Sequence, residues 1–533
     1  MNSTGRLTDE RSRRDSVEKI VDAACTTLSL DEERASRTPS RIVLPPADDE
    51  SRAGSALLWK AIQMGGTKIL YLTGTLVLSR ILTPDDFGLV AIAAVVIVTA
   101  MFATDTGMMA ALVQLSPLKP HHYHLAWSIS VVRGLFVAGT IVLLAPWLGE
   151  LFAEPRAVPL LRLIALKPLV DGLASPRLAD LVREFRFRTL AAIEVVAVAV
   201  ELVVAIALAP SWGGTAIIVG RLAGCAALTL SSYAVAPYRP SLRLHAGAAR
   251  DLVAFGRWIF AIGLTGVAVE LVVQVLVSRR LGAAQLGVLM LAGKLAWAPT
   301  QFGAEAIAST AFPLYARLRG DDTRLGAAFQ AHIIGVMLLL LPITALVIGL
   351  AQPLENHILG ASWDGTAAMI AYLACAYSLR VVVDAMVPLM KGLGRTWQLF
   401  LFKLLEFTVL LGAVLALIGP LRLTSVAVGW GLCGGTASIA AVVWARREMQ
   451  LAWGWLARST IIVLLLSGVT GVVVHLSATM LGGPSGAIVA GLIGVCVWLL
   501  LVAGSERWLR TDFRYAFAAF FPRLSPRSAP LGS

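Results

Sequence analysis

The strongest constraint on this chain is a succession of apolar runs, each long enough to cross a bilayer. A crossing helix takes about 20 mostly apolar residues for a hydrocarbon core about 30 Å thick. Fourteen runs qualify, at 57–79, 87–114, 124–148, 158–177, 189–208, 213–236, 252–278, 287–313, 328–351, 366–392, 396–418, 424–445, 458–480 and 484–504. The fourth is the weakest, because Pro159, Pro168, Pro176, Lys167 and Asp171 interrupt it. The connections are short and leave no room for a sizeable soluble domain. Only 15% of residues are charged, against about a quarter in a soluble domain. The expected fold class is an all-α polytopic membrane protein with about 14 transmembrane helices.

Net charge is +12, which in such a chain reflects basic cytoplasmic loops rather than nucleic-acid binding. Alternate loops, with the C-terminal tail, hold 22 Lys and Arg; the other set holds 6: Arg80, Arg156, Arg162, Arg279, Arg280 and Arg422. This asymmetry predicts an even span count with both termini cytoplasmic. Residues 1–52 mix acids and bases, have few aromatics and lack an apolar signal core. They read as a disordered cytosolic tail. The five cysteines are scattered, without metal-ligand or disulfide spacing.

The stretch LVLSRILTPDDFG (76–88) is echoed by VLVSRRLGAAQLG (275–287), 199 positions later. Ser79 matches Ser278, Arg80 matches Arg279, Leu82 matches Leu281 and Gly88 matches Gly287. Six spans separate the copies, so both halves enter the membrane in the same direction. That predicts a parallel repeat, a known transporter plan. Expected boundaries are an N-terminal tail at 1–52, six-helix bundles at 53–236 and 237–445, two extra helices at 446–504, and a basic tail at 505–533.

No ATP-binding loop or nucleotide-sugar motif stands out. Asp85-Asp86 follows Thr83-Pro84 and reads as a helix start rather than a metal site. His121, His122 and His124 read as part of a cationic loop. The informative residues are charges inside spans, which are costly in lipid and face a cavity or a partner. The basic ones are Lys60, Lys68, Arg133, Arg221, Lys294, Arg380 and Lys403; the acidic ones are Asp105, Glu194, Glu201, Glu270, Glu305, Asp384 and Glu406. Arg380 and Asp384, like Lys167 and Asp171, are spaced i,i+4 on one helix face and could be internal ion pairs.

The segment SRILTPDDFGLVAIAAVVIVTAMFATDTGMMAALVQ resembles the polysaccharide transporter family of bacterial flippases, the Wzx and WzxC type. This family belongs to the multidrug/oligosaccharidyl-lipid/polysaccharide exporter superfamily. The matching positions are Arg80, Leu82, Thr83, Pro84, Asp86, Phe87 and Gly88 in the turn, then Asp105, Gly107, Ala111, Leu112, Val113 and Gln114. REFRFRTLAAIE and FPLYARLRGD look like two of the family's cytoplasmic loops. The likeness covers residues 55–445 and is most specific in the first two spans. The long tail and Gly282-Ala283-Ala284 depart from the common form.

The resemblance implies two bundles around a central cavity that opens alternately to each side of the bacterial inner membrane. It implies a flippase, not an enzyme, moving undecaprenyl-pyrophosphate-linked oligosaccharide units for exopolysaccharide, capsule or O-antigen assembly. Polysaccharide polymerase and export machinery would be its partners. A pyrophosphate needs basic donors along its path, so Lys68, Arg133, Lys294 and Arg380 are candidates for a cationic cavity, with Lys60 at its mouth. Asp105, Glu270, Glu305 and Asp384 are candidates for binding a coupling H+ or Na+, no other cofactor or metal being expected. Trp127, Trp297, Trp430, Gln274 and Gln301 are weaker candidates for sugar contacts. Competing readings are a cation-coupled multidrug exporter, a non-transporting scaffold, and a membrane glycosyltransferase, which the short outer loops disfavour.

Overall fold

The computed structural model describes residues 65–105, 108–114, 119–241, 257–449, 451 and 453–509. Lys60, the tail 1–52 and residues beyond 509 lie outside them. Helices fill the apolar runs. They are α1 (65–81), α2 (Pro84–Ala103), α3 (Met108–Gln114), α4 (Pro120–Leu151), α5 (Val158–Ile164), α6 (Lys167–Gly172), α7 (Leu178–Arg183), α8 (Phe187–Trp212) and α9 (Thr215–Val235). After them come α10 (Arg257–Leu281), α11 (Ala283–Arg317), α12 (Asp322–Leu354), α13 (Thr366–Ser378), α14 (Val381–Gly392), α15 (Thr396–Leu421), α16 (Thr424–Glu448), α17 (Trp453–Leu481) and α18 (Gly483–Leu509).

Among the described residues nine helices are long and apolar enough to cross a membrane, ten if the bent pair α13–α14 counts as one. Large apolar side chains cover the outside, Leu143, Met480 and Leu500 among them. Such a surface suits lipid, not water.

Three of the runs are not single helices. The run 158–177 breaks into α5 and α6, because Pro168 removes a backbone donor and crowds the preceding turn. The second run ends as α2 at Ala103, and α3 begins at Met108. The tenth bends by 42° between α13 and α14. Proline is not at that bend: Leu379 and Arg380 are, and the Leu379 carbonyl accepts from Ser438 Oγ at 2.7 Å.

The echoed turns explain the repeat. Thr83 N-caps α2, and Asp86 closes a capping box by accepting from the Thr83 amide at 3.1 Å. A Cβ added to Gly88 would lie 1.9 Å from the Ala283 carbonyl oxygen, and one on Gly287 would lie 1.8 Å from that of Pro84. These two contacts are each other's images under the 199-residue offset. The helices that follow each turn, α2 and α11, thus meet backbone to backbone about a local two-fold.

The Ser-Arg pairs repeat that symmetry. Arg80 Nη2 donates to the His357 carbonyl at 3.0 Å, just past α12, and Trp363 Nε1 donates to the Ser79 carbonyl at 2.7 Å. In the other half, Arg279 Nη1 donates to the Leu151 carbonyl at 3.2 Å and Ser278 Oγ to the Phe152 carbonyl at 2.7 Å, at the end of α4. Each Ser-Arg thus reaches the carbonyl end of the other half's third long helix. Phe87 is buried edge-on against Trp363, with ring centroids 5.1 Å apart. The last two helices stand apart: α17 and α18 pack together and on α12, through Gly349, Gly471 and Gly494.

Candidate functional site

Among the described residues the interior holds two charge clusters, one per half, built from corresponding helices. In the first, Lys167 opens α6 directly after the break and pairs with Asp171 at 2.5 Å. Cys225 of α9 contacts that carboxylate. Glu201 of α8 is buried, 3.6 Å from Arg221 of α9, and accepts a 2.7 Å hydrogen bond from Tyr71 of α1.

In the second, Arg380 stands at the break before α14. It lies 3.6 Å from Asp384 and 3.4 Å from buried Glu406 of α15, which also pairs with Lys403 at 2.9 Å. Cys433 of α16 faces Arg380 at 3.8 Å, and the guanidinium lies over the Trp430 ring, 5.3 Å from its centroid. Basic residue at a helix break, acid four later, buried glutamate on the next long helix and cysteine on the one after recur in both halves. Interrupted helices at corresponding positions of two repeats are where transporters of this plan place their sites.

Each cluster balances two cations with two carboxylates, so desolvated charges are compensated locally. Lys294 of α11 is the exception. It lies within electrostatic reach of Arg221 and Glu201 yet pairs with no carboxylate among the described residues.

The other expected site residues separate. Arg133 of α4 pairs with Asp105 at 3.6 Å, at the break after α2, and lies 3.5 Å from the Thr104 carbonyl. Arg380 and Asp384 are committed to each other, so neither is a free charge. Glu270 of α10 accepts from Gln274 at 2.7 Å and has no cationic partner among the described residues. Lys68 is half-buried in α1. Lys60 and the side chain of Glu305 lie outside the described residues, as does that of Gln301. Trp127 donates to the Leu173 carbonyl at 3.3 Å, and Trp297 is exposed.

The turn residues Arg80, Pro84, Asp86, Phe87 and Gly88 all serve contacts between helices. Asp85 takes a two-pronged contact from Arg156 at 2.7 and 3.1 Å. With Glu154 it holds that exposed guanidinium above its ordinary pKa. The Glu201–Tyr71 and Glu406–Arg380 contacts, each between helices, were not legible in the sequence beyond the rarity of intramembrane acids.

The fold and the paired clusters define a multi-pass helical transporter architecture. Among solved structures, the chain is similar to a lipid II flippase MurJ in an inward closed conformation: TM-score 0.66, 13% identity, 85% of this chain and 100% of that one. It is also similar to an inward-facing MATE family multidrug transporter of the MOP superfamily: TM-score 0.56, 15% identity, 74% of this chain and 97% of that one. At these identities the likeness is one of fold.

Residues 77–368 match the family described as polysaccharide biosynthesis protein, and the chain belongs to that family. It is 26% identical over 361 residues to the succinoglycan biosynthesis transport protein ExoT of Rhizobium meliloti, covering 67% of this chain and 72% of that protein. It is 23% identical over 363 residues to the lipopolysaccharide biosynthesis protein WzxC of Escherichia coli, covering 68% and 74%.

Proposed function

We propose that this protein is a polysaccharide-biosynthesis flippase that carries an anionic, undecaprenyl-pyrophosphate-linked oligosaccharide across the bacterial inner membrane. It makes and breaks no covalent bond. The observation that carries the reading is the pair of matched charge clusters at interrupted helices, with Lys294 near Arg221 and Glu201 of the first and paired with no carboxylate among the described residues. Among the described residues the two clusters are balanced and Lys294 is left for the phosphates; a half-buried ammonium without a carboxylate is costly until an anion joins it. The relatives named for succinoglycan transport and lipopolysaccharide biosynthesis support a sugar-polymer cargo.

In this reading both termini are cytoplasmic, and the Ser-Arg turns lie at the outer face. The halves 53–236 and 237–445 rock about the α2–α11 contact, while 446–504 is an appendage on α12. Glu270 is the preferred site for H+ or Na+ coupling, since Asp105 and Asp384 already neutralise arginines. Polymerase and export proteins would receive the flipped unit.

The test is lipid-linked sugar in a deletion strain complemented with wild type or Lys294→Gln. The deletion is expected to trap repeat units in the cytoplasmic leaflet, and Lys294→Gln to be stably made without clearing them. Unchanged intermediates together with raised sensitivity to cationic drugs would instead make the protein a multidrug exporter.

A further inference from the structure

The local two-fold is broken at the turn between the fifth and sixth spans of each half. In the first half, Gly213 joins α8 to α9 with φ 54° and ψ −138°. Asp86 Oδ1 accepts from the Gly214 amide at 2.9 Å, tying this turn to the start of α2. In the second half, Arg422 joins α15 to α16 with nearly the same backbone, φ 48° and ψ −128°. Glycine tolerates that conformation freely; an arginine there is strained.

The partners have changed together. Under the 199-residue offset, Ile81 becomes Arg280 and Asp86 becomes Gln285. The carboxylate that ties the first turn is therefore missing from the second. In its place is a cavity of about 510 Å³ lined by Arg280, Arg422, Gln285, Leu281, Ile418 and Gly419. Neither guanidinium has an ion-pair partner among the described residues. By contrast Arg80, Arg156 and Arg279, at the same end of the bundle, are all engaged.

We infer that the Arg280–Arg422 cavity is a binding site for the phosphate head of a membrane lipid. Two unpaired guanidiniums and an amide suit phosphate oxygens, which guanidinium grips with paired N–H donors. A strained backbone that glycine would relieve is kept where the side chain contributes a charge. The site also adjoins a place for a chain: an apolar groove of about 410 Å³ between α13 and α16 starts at the same turn, with Leu421 and Thr424, and includes Leu379, Val428 and Gly431. The inference rests on the flippase reading for one point only, that the translocated carrier is the preferred lipid, leaving at the outer face.

Binding can be measured without translocation, so the two readings fail separately. Full-length protein in nanodiscs is titrated with undecaprenyl diphosphate, phosphatidylglycerol and inorganic pyrophosphate. The comparison is wild type against Arg280→Ile, Arg422→Gly and the double variant. Each variant installs the residue its own first half carries, and Arg422→Gly relaxes the turn, so melting temperature is expected to hold or rise. The double variant is expected to lose about tenfold or more in affinity for undecaprenyl diphosphate, the scale of one lost charge-assisted contact. Loss for phosphatidylglycerol as well supports a lipid-phosphate site that bulk phospholipid also occupies. Unchanged binding of both lipids, or a loss confined to inorganic pyrophosphate, overturns the inference.

Discussion

At the residue scale the two echoed glycines set how closely the halves meet. Any side chain at Gly88 or Gly287 would run into backbone of the facing helix, and backbone cannot swing aside. Gly88→Val and Gly287→Val are each expected to destabilise by about 1–3 kcal/mol, the usual cost of overpacking. Because both open one contact, the double variant should cost less than the two singles together. Melting of detergent-solubilised protein checks this; simple additivity would mean the glycines do not share an interface. Glu270 makes a second residue-scale case. If it binds the coupling ion, Glu270→Gln removes the dependence of flipping on the proton or sodium gradient while substrate binding stays. Retained gradient dependence in vesicles would move the coupling role elsewhere.

At the element scale the interrupted helices matter most. Arg380 at the α13–α14 bend holds two carboxylates, Asp384 and Glu406. Removing one partner of a buried network leaves charge uncompensated and costs about 3–5 kcal/mol. Arg380→Met is therefore expected to lower the yield of monodisperse protein sharply. Arg380→Met with Asp384→Asn should recover much of it, since Glu406 keeps its pairing with Lys403 and no charge is left orphaned. A chromatographic profile of tagged protein reads this out. Recovery of folding without recovery of flipping would separate the cluster's structural role from its functional one; a double variant as poor as the single would show that packing, not charge, holds the bend.

At the scale of the whole molecule, the Ser-Arg turns act as crossed latches. Arg80 holds the end of α12, and Arg279 holds the end of α4. For this end of the bundle to open, both latches must part. In a cysteine-free background, Arg80→Cys with His357→Cys, bridged by a short bis-thiosulfonate, should arrest flipping, and reductant should restore it. Flipping that persists in the bridged protein would mean that this end never opens along the latch.

The apolar runs fixed where the helices lie, because an intramembrane backbone must satisfy its own hydrogen bonds over a set thickness. The echo at 76–88 and 275–287 likewise announced the parallel repeat, since equivalent turns require equivalent residues. Thr83, Pro84 and Asp86 were readable as a helix start, because capping is local chemistry. Which charges pair was beyond the sequence: Arg133 finds Asp105 and Arg380 finds Glu406 across helices whose rotation and offset only packing sets. The roles of Arg80, Phe87 and Gly88 were hidden for the same reason, each being spent on the other half of the chain. That Lys294 pairs with no carboxylate among the described residues, and that a cavity lies between Arg280 and Arg422, emerged only with the tertiary structure. An unpaired charge is defined by its neighbours in space, and a broken symmetry is visible only once the symmetry is built.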